Sequence, residues 1–343
     1  MITTLALEIP YWQLTIIKTV VVLSIIPVGA LLLGYVFLLK MMAHMQSRMG
    51  PMEPGGFHGW FQLFGDAIKF IQKEDIIPEQ ADRRVFALAP LVVLVSTFLL
   101  YIVVPAGPRL VVQDLDVGIF YALAVSSLGV IGVLMAGWAS ANKFALLGSL
   151  RAAGQLIAYE LPLVLAVVGV VIQAGTMSLQ GIVQAQQEGS IFGIGVLGNP
   201  FILTQLLGFA IFLAAAQAEL TQTPFDMPVA ESELVAGFMT EYSGFRFLFF
   251  FMAEFGTAFA LSAIAATLYL GGWSLPFLEG TLADVLGPLV LGAKIMLVAF
   301  LIFWVRFTFP RFREDQLQAF AWKILIPLSL VNIMVTAALK VFV

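Results

Sequence analysis

Eight long apolar runs alternate with shorter polar segments, with edges near 14–39, 85–104, 117–138, 156–174, 201–218, 247–270, 285–305 and 320–343. A helix needs about 20 apolar residues to cross the hydrocarbon layer, and a backbone placed there must satisfy its own hydrogen bonds. Each run therefore predicts a transmembrane helix. The fold class expected is all-α, a polytopic membrane protein of about eight transmembrane helices forming one membrane domain over 1–343. The first run is the longest and carries Pro27 and Gly29, where a kink is expected. Residues 59–73 follow another pattern. Trp60, Phe61, Phe64, Ile68 and Ile71 recur at helical spacing on one face, with Asp66, Lys69 and Lys73 on the other. The stretch is too short and too charged to span, so it predicts an amphipathic helix lying in the interface or capping a bundle. A polar insert at 178–187 is weakly helical, and there is no internal repeat.

Composition agrees with the pattern. The chain is 61% hydrophobic and 11% charged, against about a quarter charged in soluble domains. Cysteine is absent, which excludes an iron–sulfur cluster ligated by this chain, a c-type haem and any disulfide. The two histidines, His44 and His58, both lie outside the apolar runs, so a bis-histidine haem between spans is excluded as well. Any redox centre must belong to a partner or be a diffusible ligand. The first run lacks a basic start and a small-residue cleavage site, so no cleaved signal is expected.

Basic residues concentrate in alternate loops: Lys40, Arg48, Lys69, Lys73, Arg83 and Arg84 after the first run, Lys143 and Arg151 after the third, Arg306, Arg311, Arg313 and Lys323 after the seventh. The opposite loops hold Arg109. By the positive-inside rule the odd-numbered loops face the cytoplasm and both termini lie outside. The loop at 219–246 then falls on the cytoplasmic side, yet it carries Glu219, Asp226, Glu231, Glu233 and Glu241 and no basic residue before Arg246. Glu160 near the start of the fourth run, Glu254 a third of the way along the sixth, and Lys18 and Lys294 add charges at membrane depth. Such charges cost several kcal/mol unless they face protein, water or a partner. One account is a set of protonatable groups that move protons. The other is satisfied pairing, for instance Lys294 with a glutamate. Local capping is a third account for part of the loop: Asp226 is expected to cap a helix, with Pro228 in its first turn and Glu231 complementing its dipole. It does not explain Glu219, Glu233 or Glu241. No phosphate-binding glycine loop, metal-ligand cluster or nucleophile triad is present.

Several motifs occur in order: 45–51 (MQSRMGP), 65–69 (GDAIK), 73–75 (KED), 137–140 (GWAS) with Lys143, and 147–151 (LGSLR). They continue with 223–226 (TPFD), 231–235 (ESELV), 240–244 (TEYSG), 270–273 (LGGW), 315–317 (DQL) and Trp322-Lys323. Over nearly its whole length the chain resembles the H-subunit (subunit 1) family of proton-pumping NADH–quinone oxidoreductase, respiratory complex I. The resemblance implies a multi-pass protein of the bacterial cytoplasmic membrane. Such a protein anchors the soluble arm, lines a lipid-accessible tunnel for quinone and starts an acidic path that couples quinone reduction to proton translocation. It implies an enzyme only as part of the complex: no cofactor in this chain, quinone as substrate, and NADH, FMN and iron–sulfur clusters in partner subunits. The expected partners are the quinone-module subunits with the terminal iron–sulfur cluster, the small membrane subunits, the antiporter-like subunits and membrane lipid, with no nucleic acid. Carried over by motif, the proton-coupling residues are Glu160, Glu219, Asp226, Glu231, Glu233 and Glu254. Those of the tunnel and interface are Arg48, Asp66, Lys69, Phe225 and Glu241, with Lys143 and Arg151 near the same junction.

The chain departs from the family pattern at five places. A Glu-Arg pair is replaced by Leu38-Leu39 before Lys40, an Arg by Gln222, a Glu by Val229 and a His by Met239. The departures motivate a second reading, a relative of complex I with another electron donor, such as a ferredoxin- or coenzyme-linked quinone reductase or a membrane-bound hydrogenase. A stand-alone ion transporter is a third, but it calls for matched helix breaks near the midplane, and Pro27 and Pro162 do not form such a pair.

Overall fold

The computed structural model describes residues 11–108, 110–189, 199–275 and 281–342, and every regular element among them is helical. Arg109 and Val343, which figure in the expected topology, lie outside the described residues. Helix α1 (Tyr11–Leu33) runs on through a π-helical stretch, Gly34–Met41, into a single turn, α2 (Met42–Met45). The amphipathic helix α3 (Gln62–Gln72) follows, then α4 (Arg83–Leu100), α5 (Gly118–Ser126), α6 (Leu128–Ala139), α7 (Lys143–Ala174) and α8 (Leu179–Glu188). The chain closes with α9 (Leu206–Glu219), the one-turn α10 (Glu231–Leu234), α11 (Gly244–Tyr269), α12 (Thr281–Thr308), α13 (Glu314–Phe320) and α14 (Ile326–Phe342).

Among the described residues six helical stretches are long and apolar enough to cross a membrane: Arg83–Leu100, Gly118–Ala139, Lys143–Ala174, Gly244–Tyr269, Val285–Thr308 and Glu314–Val341. They match the second, third, fourth, sixth, seventh and eighth apolar runs. The fifth run forms α9, of 14 residues, and the first forms α1 with its π-helical continuation. Local chemistry sets several ends. Asp82 caps α4 by accepting from the backbone N–H of Arg84 and Val85, Asn142 caps α7 through Phe144 N–H, and Ser178 caps α8 through Gly181 N–H. Gly175, at φ +77°, ends α7.

Two expectations change. Helix α7 begins at Lys143, well before the apolar run at 156, because its first turns are rich in strong helix formers such as Ala, Leu and Arg. Glu160 and Pro162 are therefore interior to a 32-residue helix rather than near its start. The chain also stays α-helical through Pro27, and the departure from regular helix comes at Gly34–Met41. Gly29 serves close packing instead: a Cβ there would lie 3.0 Å from Phe259 of α11.

Helices in lipid gain little from hydrophobic association with one another, so small side chains and hydrogen bonds set their packing. At Gly132 a Cβ would meet Val93 Cγ2 at 2.4 Å, and at Gly137 it would meet Ser149 Oγ at 2.0 Å, which brings α6 against both α4 and α7. Helix α14 is held by a buried polar cluster. Asn332 Nδ2 donates to Gln205 Oε1 at 2.9 Å, and Gln205 Nε2 donates to Thr336 Oγ1 at 2.6 Å. Lys294 Nζ donates to the carbonyls of Gly272 and Ser274 at 2.8 and 2.7 Å, so it is satisfied by a loop and not by a glutamate.

Helix α3 turns Leu63 and Phe70 inward, while Phe64, Ile68 and Ile71 stay exposed, as a lipid-facing stripe requires. Trp60 stacks on Tyr35 at 4.4 Å between ring centres. Asn332→Ala is expected to strip Gln205 Oε1 of its donor and lower stability by about 1 kcal/mol. A lower thermal midpoint of the detergent-purified protein checks this, with an unchanged midpoint counting against a polar lock on α14.

Candidate functional site

Glu160 from α7, Glu219 from the end of α9 and Glu254 from α11 line one internal cavity of about 110 Å³. Ser126 and Ser127 at the α5–α6 junction, Thr221, Met239 and Thr257 share the lining. The volume admits several water molecules. The three carboxylates meet although they are far apart in sequence, because α7, α9 and α11 pack together through small residues such as Ala215, Ala216 and Ala258. Glu254 has a nearby cation: Arg306 Nη1 of α12 lies 3.5 Å from its Oε1, and Gln222 Nε2 lies 3.4 Å from the same atom. Oε2 of Glu219 is buried and accepts no hydrogen bond among the described residues.

The acidic loop sits on α7 at Gly148, where a Cβ would lie 2.7 Å from Pro228 O and 2.8 Å from Gly237 Cα. Gln155 Nε2 of α7 donates to the carbonyls of Ala218 and Phe225, each at 2.7 Å, and Phe312 N–H donates to Pro224 O at 3.0 Å. Phe225 is buried among Tyr159, Phe312 and Phe320. The loop's backbone bonds thus go to its neighbours and not into a helix of its own. Asp226 caps nothing, Pro228 begins no helix, and helix resumes only at Glu231 after Ala230, whose φ is +26°.

The loop carboxylates have different surroundings. Glu233 is clamped by two guanidinium groups, Arg151 Nη1 on Oε2 and Arg311 Nη2 on Oε1, both at 2.6 Å. The hydrogen bond from Arg151 leads, and the nearby Arg311 charge adds to it, in holding the Glu233 carboxyl below its ordinary range. Burial pushes Asp226 up to about 6, with Arg311 and Arg306 opposing the rise and Glu254 and Glu231 adding to it. Glu241 accepts from Asn142 Nδ2 at 2.5 Å, and Glu231 is exposed.

A second cavity, of about 590 Å³, lies beneath α3. Leu38, Leu39, Leu63, Phe70, Leu248, Phe251 and Met252 form its apolar wall, with Asp66, Lys69 and Lys73 as the polar groups. Lys69 Nζ is 3.9 Å from Asp66 Oδ1. Arg246 Nη1, 3.2 Å from Asp75 Oδ2, and Ser243, bonded to Glu74 O and Ile76 N–H, tie the end of α3 to the start of α11. At the other end Tyr35 donates to His58 O. Arg48 is not part of either lining: it is exposed and donates to Gln46 Oε1. No group of three His, Cys, Asp or Glu among the described residues is arranged to hold a metal ion.

The family model described as NADH dehydrogenase matches residues 17–337. The chain belongs to the NADH–quinone oxidoreductase H-subunit family. It is 46% identical over 319 residues to the NADH-quinone oxidoreductase H subunit of Anoxybacillus flavithermus, covering 93% of this chain and 92% of that protein. The corresponding H subunits of Geobacillus kaustophilus and Dehalococcoides mccartyi are each 48% identical to it, over 88% and 87% of this chain and 86% and 79% of theirs.

In this H-subunit family member the structure brings Glu160, Glu219 and Glu254 together, sets Asp226 beside them and places Glu233 in an ion-pair clamp. In the sequence Arg306 and Arg311 stand out only as topological charge. Their spacing from the aromatic run at 307–312 is the signal that both leave one helix end together. Asp226→Asn tests the assigned environment. The native state holds the Asp226 proton more tightly than the unfolded chain does, so stability from this group falls as pH rises from about 4 to about 6. The wild-type thermal midpoint, measured relative to that of the Asn variant, is expected to fall across that window. A constant difference would place Asp226 in water.

Proposed function

We propose that this chain is the membrane subunit of a quinone-reducing, proton-translocating complex. In that role it anchors the soluble arm, admits quinone through the cavity beneath α3 and starts the coupling path at the internal cavity. One observation carries the reading: carboxylates from three helices converge on a small polar cavity, while a separate, larger and mostly apolar cavity lies between α3 and α11. Keeping buried carboxylates together is costly and has no packing benefit, whereas proton transfer uses neighbouring sites of like kind. An apolar cavity beneath an interfacial helix suits an isoprenoid chain arriving from lipid, and Asp66, Lys69 and Lys73 give the polar end of such a ligand hydrogen-bonding groups.

In this reading Glu160, Glu219 and Glu254 exchange protons through the internal cavity, with Asp226 and Glu231 towards the cytoplasmic side. Phe225 and Glu241 fasten the loop to its neighbours, and Arg48, exposed, and Lys69 face the quinone-module partner. Quinone is the substrate. NADH oxidation, FMN and the iron–sulfur clusters belong to partner subunits, and the names of the relatives support this assignment. The chain then spans the bacterial cytoplasmic membrane with both termini outside.

Leu248→Trp narrows the larger cavity at a lipid-side position. In membranes holding the assembled complex it is expected to raise the quinone KM about fivefold or more, about 1 kcal/mol of lost binding, without lowering complex yield. An unchanged KM in that variant and in Asp66→Ala would remove quinone from this cavity. A second reading, a relative with another electron donor, is favoured by the uncharged wall at Leu38 and Leu39. Mass spectrometry of a mild-detergent pull-down separates the two by the presence or absence of flavin-bearing subunits.

A further inference from the structure

Two arginines leave the end of α12 within six residues of chain and hold carboxylates in different places. Arg306 stands against Glu254 in the internal cavity, at 3.5 Å. Arg311 stands against Glu233 on the exposed loop, at 2.6 Å. The other oxygen of Glu233 is taken by Arg151 of α7, whose Nε lies 3.8 Å from Glu314 at the start of α13. Asp226 lies in the field of both Arg306 and Arg311. From the cavity outward the charges alternate in sign: Glu254, Arg306, Asp226, Arg311, Glu233, Arg151, Glu314. The backbone follows the same route, because Phe312 N–H bonds to Pro224 O two residues before Asp226.

We propose that Arg311 is a positioning residue, shared between Glu233 and Asp226, that transmits the placement of the acidic loop to the charge state of the internal site. This rests on the reading of that site as the start of a proton path. Glu233 is an anchor here and not a proton carrier: both of its oxygens are held by guanidinium groups, and it faces the surface. A cation between two carboxylates divides its field between them, so weakening one contact strengthens the other. A shift of the loop that loosens Glu233 moves Arg311 towards Asp226 and favours its ionised form. A shift that tightens Glu233 does the reverse. The surface thereby acts on the cavity with no proton passing between Glu233 and Glu254.

The test is an infrared carboxyl titration of the purified intact complex, with Asp226→Asn used to assign the Asp226 band. The groups facing Asp226 are Arg311 and Arg306 from the end of α12 and the turn after it, Glu254 from α11 and Glu231 from its own loop. Those facing Glu233 are Arg151 from α7 and Arg311, with Glu314 beyond. Glu233→Gln releases Arg311 and is expected to lower the Asp226 midpoint by about one pH unit. Arg311→Gln is expected to raise it by a similar amount, and Arg311→Lys to stay near wild type. Shifts in the same direction, or none, would overturn the proposal. If Arg311→Gln fails to assemble, the Glu233→Gln and Arg311→Lys pair decides alone.

Proton translocation measured on the same preparations separates the two readings. Opposite shifts with translocation intact in Asp226→Asn keep the Arg311 link and remove Asp226 from the path. Absent shifts with translocation lost in Asp226→Asn keep the path and remove the link.

Discussion

A carboxylate at membrane depth has few stable settings: a cation, a set of hydrogen-bond donors, water, or a proton of its own. Glu160, Glu219 and Glu254 answer this constraint jointly. They sit on three helices that are distant in sequence and share one small cavity, and the guanidinium of Arg306 stands beside it. Placing that guanidinium requires α12 to end where it does, and the turn beyond α12 then lies against the acidic loop through Phe312 and Arg311. The outer architecture of the loop thus follows from the electrostatic demand of the interior.

Close packing supplies the precision. The bilayer gives helices little reason to associate, so the contact surfaces are made of glycine, alanine and serine, and the intervals between backbones are short. Gly148 is the position where this matters most, because α7 and the loop approach there without room for a Cβ. Gln155, about two turns further along α7, takes two loop carbonyls. Helix α7 therefore serves both as a membrane span and as the seat of the loop, and one rigid element connects Arg151 outside with Glu160 inside. The larger cavity arises differently. Helix α3 cannot enter the bundle because its exposed stripe is apolar, so it lies across the π-helical stretch and α11 and leaves the space beneath it open.

The spans are legible in the sequence because a 20-residue apolar run admits few other structures. The amphipathic helix is legible for a similar reason, since Phe64, Ile68 and Ile71 follow helical spacing. The start of α7 is not. Residues 143–155 mix polar and apolar side chains, so hydropathy stops at 156 while helix propensity continues. Asp226 reads as a cap because Asp and Pro at that spacing usually mark a helix start. Partners from outside the segment, Gln155 and Phe312, take the loop's hydrogen bonds instead, and no local pattern encodes them. The convergence of Glu160, Glu219 and Glu254 is suggested by their cost in hydrocarbon, but their meeting point depends on helix packing.

The departures at Leu38, Leu39, Gln222, Val229 and Met239 fall in places where the structure explains why they change together. Gln222 is buried and donates weakly to Glu254, the carboxylate that Arg306 already faces. An arginine at 222 would put a second guanidinium against one carboxylate, which calls for further acidic groups nearby, and a glutamate at 229 is such a group. Val229 instead packs in the apolar cluster with Phe86, Phe238 and Tyr242, and Met239 faces the internal cavity without charge. Leu38 and Leu39 likewise remove one acid and one base from the wall of the larger cavity. The charges lost come from settings where an isolated one is least tolerable, and they go in sets of opposite sign. What remains is the minimum that keeps Glu254 compensated: Arg306, held in place by the Arg311 contact to the loop.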